Sequence, residues 1–130
     1  MALKEVLLDT SVLIEHFRAS DKGATVLFKL ASGGWKLRVS SITQFEVLAG
    51  VTPTQQRYWN EVLERMILLS FDDRVARVAA RLSAELRKQG TGIGVADLFI
   101  AATAIANELP LATLNKKHFA RVNDLRMVDP

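Results

Sequence analysis

Cysteine is absent from the 130 residues. Disulfides, thiolate metal sites and cysteine nucleophiles are thereby excluded, so any metal must be held by oxygen or nitrogen. Proline is sparse at three residues, and 24% charged against 49% hydrophobic side chains is too little polarity for a chain that stays disordered. The amino end carries Lys4 and Glu5 and turns polar at Asp9, so it offers neither the apolar core of a signal peptide nor a membrane span. The expectation is a cytoplasmic protein with no membrane association, folded as one domain over residues 1–130. A strong excess of one charge is also missing. Seventeen Lys and Arg face 14 Asp and Glu, a balance that suits a polyanionic partner and ordinary solubility equally.

Leu3 to Leu8 reads as a buried strand ending at Asp9-Thr10-Ser11, where a Thr or Ser hydroxyl can cap a helix from Val12 to Arg18. A second helix, Gly23 to Ala31, stops at Ser32-Gly33-Gly34, and Trp35 to Val39 is the second strand. Ser41-Ile42-Thr43-Gln44 matches a capping box ahead of a helix from Ile42 to Ala49, and Pro53 suits the first turn of another that reaches Arg65. Met66 to Phe71 reads as a third, wholly apolar strand. In Asp73 to Lys88, Val75, Val78, Ala79, Leu82 and Leu86 form one helical face, and Arg74, Arg77, Arg81, Glu85 and Lys88 the other. Val95 to Glu108 is an interior helix; Pro110 to Thr113 and Leu125 to Val128 are the last two strands. Apolar strands alternating with helices predict an α/β fold, a central and mainly parallel sheet of about five strands wrapped by helices on both sides.

Ligands of such sheets bind beyond the carboxyl ends of the strands. Asp9 follows the first strand, Glu46 lies in the second turn of the helix after the second, and Asp97 lies in the first turn of the apolar helix before the fourth. Each has an ordinary reading: Asp9 as a turn or cap residue, Glu46 as a solvated acid, Asp97 as a helix-start carboxylate. Asp97 stands among Val95, Ala96, Leu98 and Phe99, a setting that predicts burial and a partner. Three converging carboxylates would raise one another's pKa unless a cation intervened, and hard oxygen ligands without cysteine point to Mg²⁺ or Mn²⁺. Phosphodiester hydrolysis is the chemistry that this set serves best. His118, Trp35, Tyr58 and Trp59 are weaker candidates, for a leaving-group role and for partner contacts, with surface or core roles as the alternative.

The stretches Leu7-Leu8-Asp9-Thr10-Ser11-Val12-Leu13-Ile14, Phe45-Glu46-Val47-Leu48-Ala49-Gly50, Ala96-Asp97-Leu98-Phe99-Ile100-Ala101-Ala102-Thr103-Ala104 and Ala112-Thr113-Leu114-Asn115-Lys116-Lys117-His118-Phe119 resemble the PIN domains. Within that family they are most similar to the toxin ribonucleases of VapBC-type toxin–antitoxin modules. The resemblance implies a three-layer α/β/α fold, metal-dependent endoribonuclease activity on RNA, inhibition by a small antitoxin, and a homodimer. It makes Asp9, Glu46 and Asp97 the metal-site acids and Asn115 the fourth catalytic position, with Thr10 or Ser11 orienting Asp9 and Thr113 in support. Many members carry an acid where this chain has Asn115. An amide oxygen can ligate an ion or hold its water but adds no charge. Lys116 and Lys117 beside it are candidates to grip an RNA phosphate. Two rival readings stay open: a PIN-like RNA-binding module with weak activity, and a phospho-accepting receiver domain. A receiver wants an acid at the end of the third strand, where Leu68-Leu69-Ser70 has none.

Overall fold

The computed structural model describes residues 4–129. Strand β1 (Glu5–Leu8) lies between β2 (Lys36–Ser40) and β4 (Leu111–Ala112), and β3 (Ile67–Leu69) pairs with the far side of β2. All pairings are parallel, in the order β3-β2-β1-β4. Leu3, expected to open the first strand, lies outside the described residues.

Successive residues of a strand face opposite sides of the sheet, and β1 is apolar on both. Val6 and Leu8 enter one core, with Val12 and Leu13 of α1 (Thr10–Arg18), Leu30 of α2 (Val26–Ser32) and Trp59 of α4 (Pro53–Glu64). Leu7 enters the other, with Val75, Ala79 and Leu82 of α5 (Asp73–Lys88), Ile100 of α6 (Val95–Ala106) and Phe119 of α7 (Lys116–Phe119). A fully buried Leu contributes about 1.5–3 kcal/mol, so β1 anchors both layers. The α/β/α architecture and the parallel sheet are as expected. The amphipathic helix also matches: Val75, Ala79, Leu82 and Leu86 are buried, while Arg74, Arg77 and Arg81 are exposed.

Several expectations are corrected. The fifth strand, Leu125 to Val128, shrinks to one parallel bridge between Leu111 and Met127. Among the described residues two backbone hydrogen bonds form there, Leu111 N–H to the Arg126 carbonyl and Val128 N–H to the Leu111 carbonyl, because two-residue β4 offers no longer partner. The sheet therefore has four strands. The wholly apolar β3 is an edge strand whose Ile67 and Leu68 are exposed. The helix expected from Gly23 splits into a 3₁₀ turn, Lys22–Ala24, and α2, which is capped by Thr25. The capping box is not at Ser41: Ser40 caps α3 (Ser41–Leu48), and the reciprocal box is formed at the start of α4 by Thr52, just before Pro53, and Gln55, two residues after it. Among the described residues no helix is long and apolar enough to cross a membrane.

Candidate active site

The chain passes from β1 to β2 on one side and later returns to place β4 on the other, so the topology switches between β1 and β4. Asp9 follows β1 and Thr113 follows β4, and both side chains are buried. Asp9 occupies the N-cap position of α1, but its carboxylate does not cap. Instead Oδ2 accepts from the Ser11 and Thr113 hydroxyls, both at 2.7 Å. Each hydroxyl has one proton, so the 3.4 Å approach of Ser11 to Thr113 is close packing around a shared acceptor. The same oxygens also accept backbone protons, Ser11 from Leu114 N–H and Thr113 from Asn115 N–H. Asp9 Oδ1 enters no hydrogen bond among the described residues, which leaves it for the cleft that Asp9 lines.

That cleft, of about 420 Å³, brings Asp9, Thr10, Ser11, Glu46, Asp97 and Asn115 together. Thr10 serves Glu46 rather than Asp9, donating to Glu46 Oε1 at 2.7 Å. Its own proton being used, Thr10 accepts from Thr43 at 2.8 Å, and Thr43 accepts from Ser40 at 3.3 Å. A relay of three hydroxyls thus runs from the end of β2 to an exposed glutamate on α3. Thr43 and Ser40, both buried, were missed by the sequence reading; the signal available was the Ser-Ser-Ile-Thr step at a strand end.

Asp97 is half-buried rather than buried, with 28% of its side chain exposed, because the first turn of α6 lies at the rim. Its pKa is raised by burial first and by the Asp9 charge second, against a lowering contribution from His118. His118 Nδ1 lies 3.5 Å from Asp97 Oδ2 on a largely exposed ring. Lys116 pairs with Asp129, and neither it nor Lys117 lines the cleft. Glu15 and Arg18 do line it, and the sequence reading passed over both. Trp59 is core, stacked on Phe17 with centroids 5.2 Å apart, and Tyr58 packs edge-on to the same ring. A larger groove of about 680 Å³, bordered by Trp35, Leu37, Val62 and Met66, contains no acid.

Donor chemistry decides what the acidic cleft can hold. Every candidate ligand is oxygen, and Asp9 and Asp97 are near enough for one charge to perturb the other, a pairing that a hard divalent cation relieves. The residues fit such an ion. They do not form a preformed cage, however: among the described residues no three Asp, Glu or His side chains are gathered closely enough to hold a metal. Glu46 is drawn to Thr10.

Comparison with known proteins agrees with this architecture. Residues 6–125 match the PIN domain family. Ribonuclease VapC19 of Mycobacterium tuberculosis is 31% identical over 92% of this chain and 96% of its own length. The tRNA(fMet)-specific endonuclease VapC of Shigella flexneri is 32% identical over 95% of this chain and 96% of its own. Among solved structures, VapBC-1 from nontypeable Haemophilus influenzae superposes with a TM-score of 0.85 at 27% identity, covering 96% of this chain and 97% of that one. The receiver reading is set aside, and the chain belongs to the PIN-domain family, with VapC ribonucleases as its relatives.

Proposed function

We propose that this chain is a Mg²⁺- or Mn²⁺-dependent endoribonuclease, the toxin of a toxin–antitoxin pair, acting in the cytoplasm as a single domain over residues 1–130. The observation that carries the reading is the meeting of Asp9 and Asp97 in one cleft at the topological switch point, with Glu46 and Asn115 on its walls. The VapC relatives and the VapBC structure support ribonuclease action and an antitoxin partner. A homodimer is part of the same proposal.

A bound divalent ion supplies polarisation of a phosphoryl oxygen and acidification of its water. The chain's own residues supply the rest. Asp9 would offer one oxygen to the ion, while Ser11 and Thr113 immobilise the other. Asp97 would contribute the second charge, and Glu46, steadied by Thr10, would hold a water or the ion. Asn115 orients water without adding charge. The antitoxin blocks the cleft with an Arg, whose planar fork pairs bidentately with carboxylates.

The separation of Glu46 from the aspartate pair favours a second reading, a PIN module that binds RNA and cuts it poorly. One experiment divides the two. Purified protein is incubated with RNA in Mg²⁺, in Mn²⁺ and in EDTA; cleavage that needs the metal and is restored by re-addition supports the nuclease, and metal-insensitive binding without cleavage supports the module.

A further inference from the structure

The acidic cleft has one cation on its wall. Ser11, Ile14, Glu15 and Arg18 fall at helical spacing along a single face of α1, so the helix carries the cleft from the Asp9 end to Arg18. Thr10 to Arg18 spans about 12 Å at 1.5 Å per residue. Against Asp9, Glu15, Glu46 and Asp97, Arg18 is the only basic residue among those lining this space.

Arg18 also has no structural employment. A last-turn Arg ordinarily serves the free carbonyls of its helix, but here the Lys22 ammonium takes them, meeting the His16, Phe17 and Ala19 carbonyls at 2.5, 2.9 and 3.0 Å. An Arg three residues after a Glu ordinarily pairs with it, but Glu15 Oε1 accepts from Val26 N–H at 2.8 Å and holds the start of α2. Among the described residues Arg18 makes no ion pair with Glu15, Glu46 or any other acid, and its side chain is exposed.

We infer that Arg18 is a phosphate-binding residue for the RNA strand, holding a backbone phosphate a few linkages away from the one presented to Asp9 and Asp97. The inference rests on the ribonuclease reading above. A polyanion entering a cleft of four carboxylates meets repulsion along its length except where cations intervene. A guanidinium kept free at the far end supplies the missing counter-charge and fixes the direction in which the strand lies, since its fork pairs bidentately with phosphate. Such a contact positions the strand without reading bases.

The test is equilibrium binding of a short dye-labelled single-stranded RNA to Asp97→Asn protein in Mg²⁺, with and without Arg18→Ala, over a salt series. The expected result is a Kd about tenfold weaker for Arg18→Ala and a log Kd against log salt slope smaller by about 0.7, the value for one phosphate on a single strand. Arg18→Lys should recover most of the slope and only part of the affinity. Methylphosphonate placed at each linkage in turn should find one position where neutralising the phosphate weakens the parent but not Arg18→Ala. Unchanged melting of Arg18→Ala shows that the fold is intact. Equal Kd and slope with and without Arg18 overturn the inference, including the case in which Arg18→Ala weakens only a protein partner. RNA that binds in this Arg18-dependent way but is never cut by the parent chain sinks the ribonuclease reading while upholding the Arg18 contact; RNA that the parent neither binds nor cuts overturns both.

Discussion

Thr113 reaches across 104 positions of sequence to donate its hydroxyl proton to Asp9 at 2.7 Å, joining the ends of two adjacent parallel strands through one buried carboxylate oxygen. Replacing Thr113 by Val keeps the shape and removes the proton donor. The expected cost is about 1–2 kcal/mol of stability, with metal affinity or activity lower by about 10–100-fold because Asp9 loses an orienting partner. Thr113→Ser should retain most of both. Thermal melting with and without Mn²⁺ reads the two effects separately.

The hydroxyl relay predicts a different pattern at Thr43. Its side chain is fully buried, accepts from Ser40 and donates to Thr10. Thr43→Val leaves the buried Ser40 hydroxyl proton without its acceptor and takes a donor from Thr10, and should destabilise the fold by about 1–3 kcal/mol. It should also loosen Glu46 without altering its charge. Denaturant unfolding measures the first effect, and the mobility of a ¹³C-labelled glutamate carboxyl by NMR measures the second.

Asp97 carries the pH prediction. Its folded pKa is raised by burial and by the Asp9 charge, so the folded state holds this proton more tightly than the unfolded state does. The sign is opposite to that of a salt-bridged carboxylate: as pH rises through the range just above the usual carboxylate value, the metal-free protein loses stability at this site. Asp97→Asn removes that component and should leave the metal-free protein somewhat more stable than the parent at neutral pH. Melting temperature followed in EDTA from below the usual carboxylate value up to neutral pH is the measurement, and a parent curve that rose as steeply as the variant's would refute the assignment.

Asn115 tests the number of ions. If the charged ligands of the ion are Asp9, Glu46 and Asp97, Asn115→Asp adds a fourth negative oxygen ligand. Metal-free stability should fall through repulsion, while stabilisation by Mn²⁺ grows, as linkage requires. An unchanged Mn²⁺ response would place Asn115 outside the coordination sphere.

Much of this was legible in the sequence where local pattern decides structure. β1, the amphipathic face of α5 and the position of Asp9 at a strand end follow from periodicities of two and 3.6. The motif stretches single out Asp9, Glu46, Asp97 and Asn115, which line one cleft. What escaped depends on distant partners. Whether Thr10 serves Asp9 or Glu46 is settled by Thr43, 33 residues away. The loss of the fifth strand depends on how little backbone β4 exposes, and the pairing of Lys116 with Asp129 depends on a segment after Met127 that has no regular structure. The freedom of Arg18 likewise depends on Lys22, which holds the carbonyls at the end of α1.

The most direct test of the central claim is single-turnover RNA cleavage over a Mg²⁺ series by the parent, Asp9→Asn and Asp97→Asn, each first shown to be folded. The account predicts that each substitution, which removes a charge and keeps the side-chain shape, lowers the rate by about 10³-fold or more. Added Mg²⁺ should recover little of it. Near-parental cleavage by either variant at limiting Mg²⁺ would mean that the reaction takes place elsewhere on the molecule.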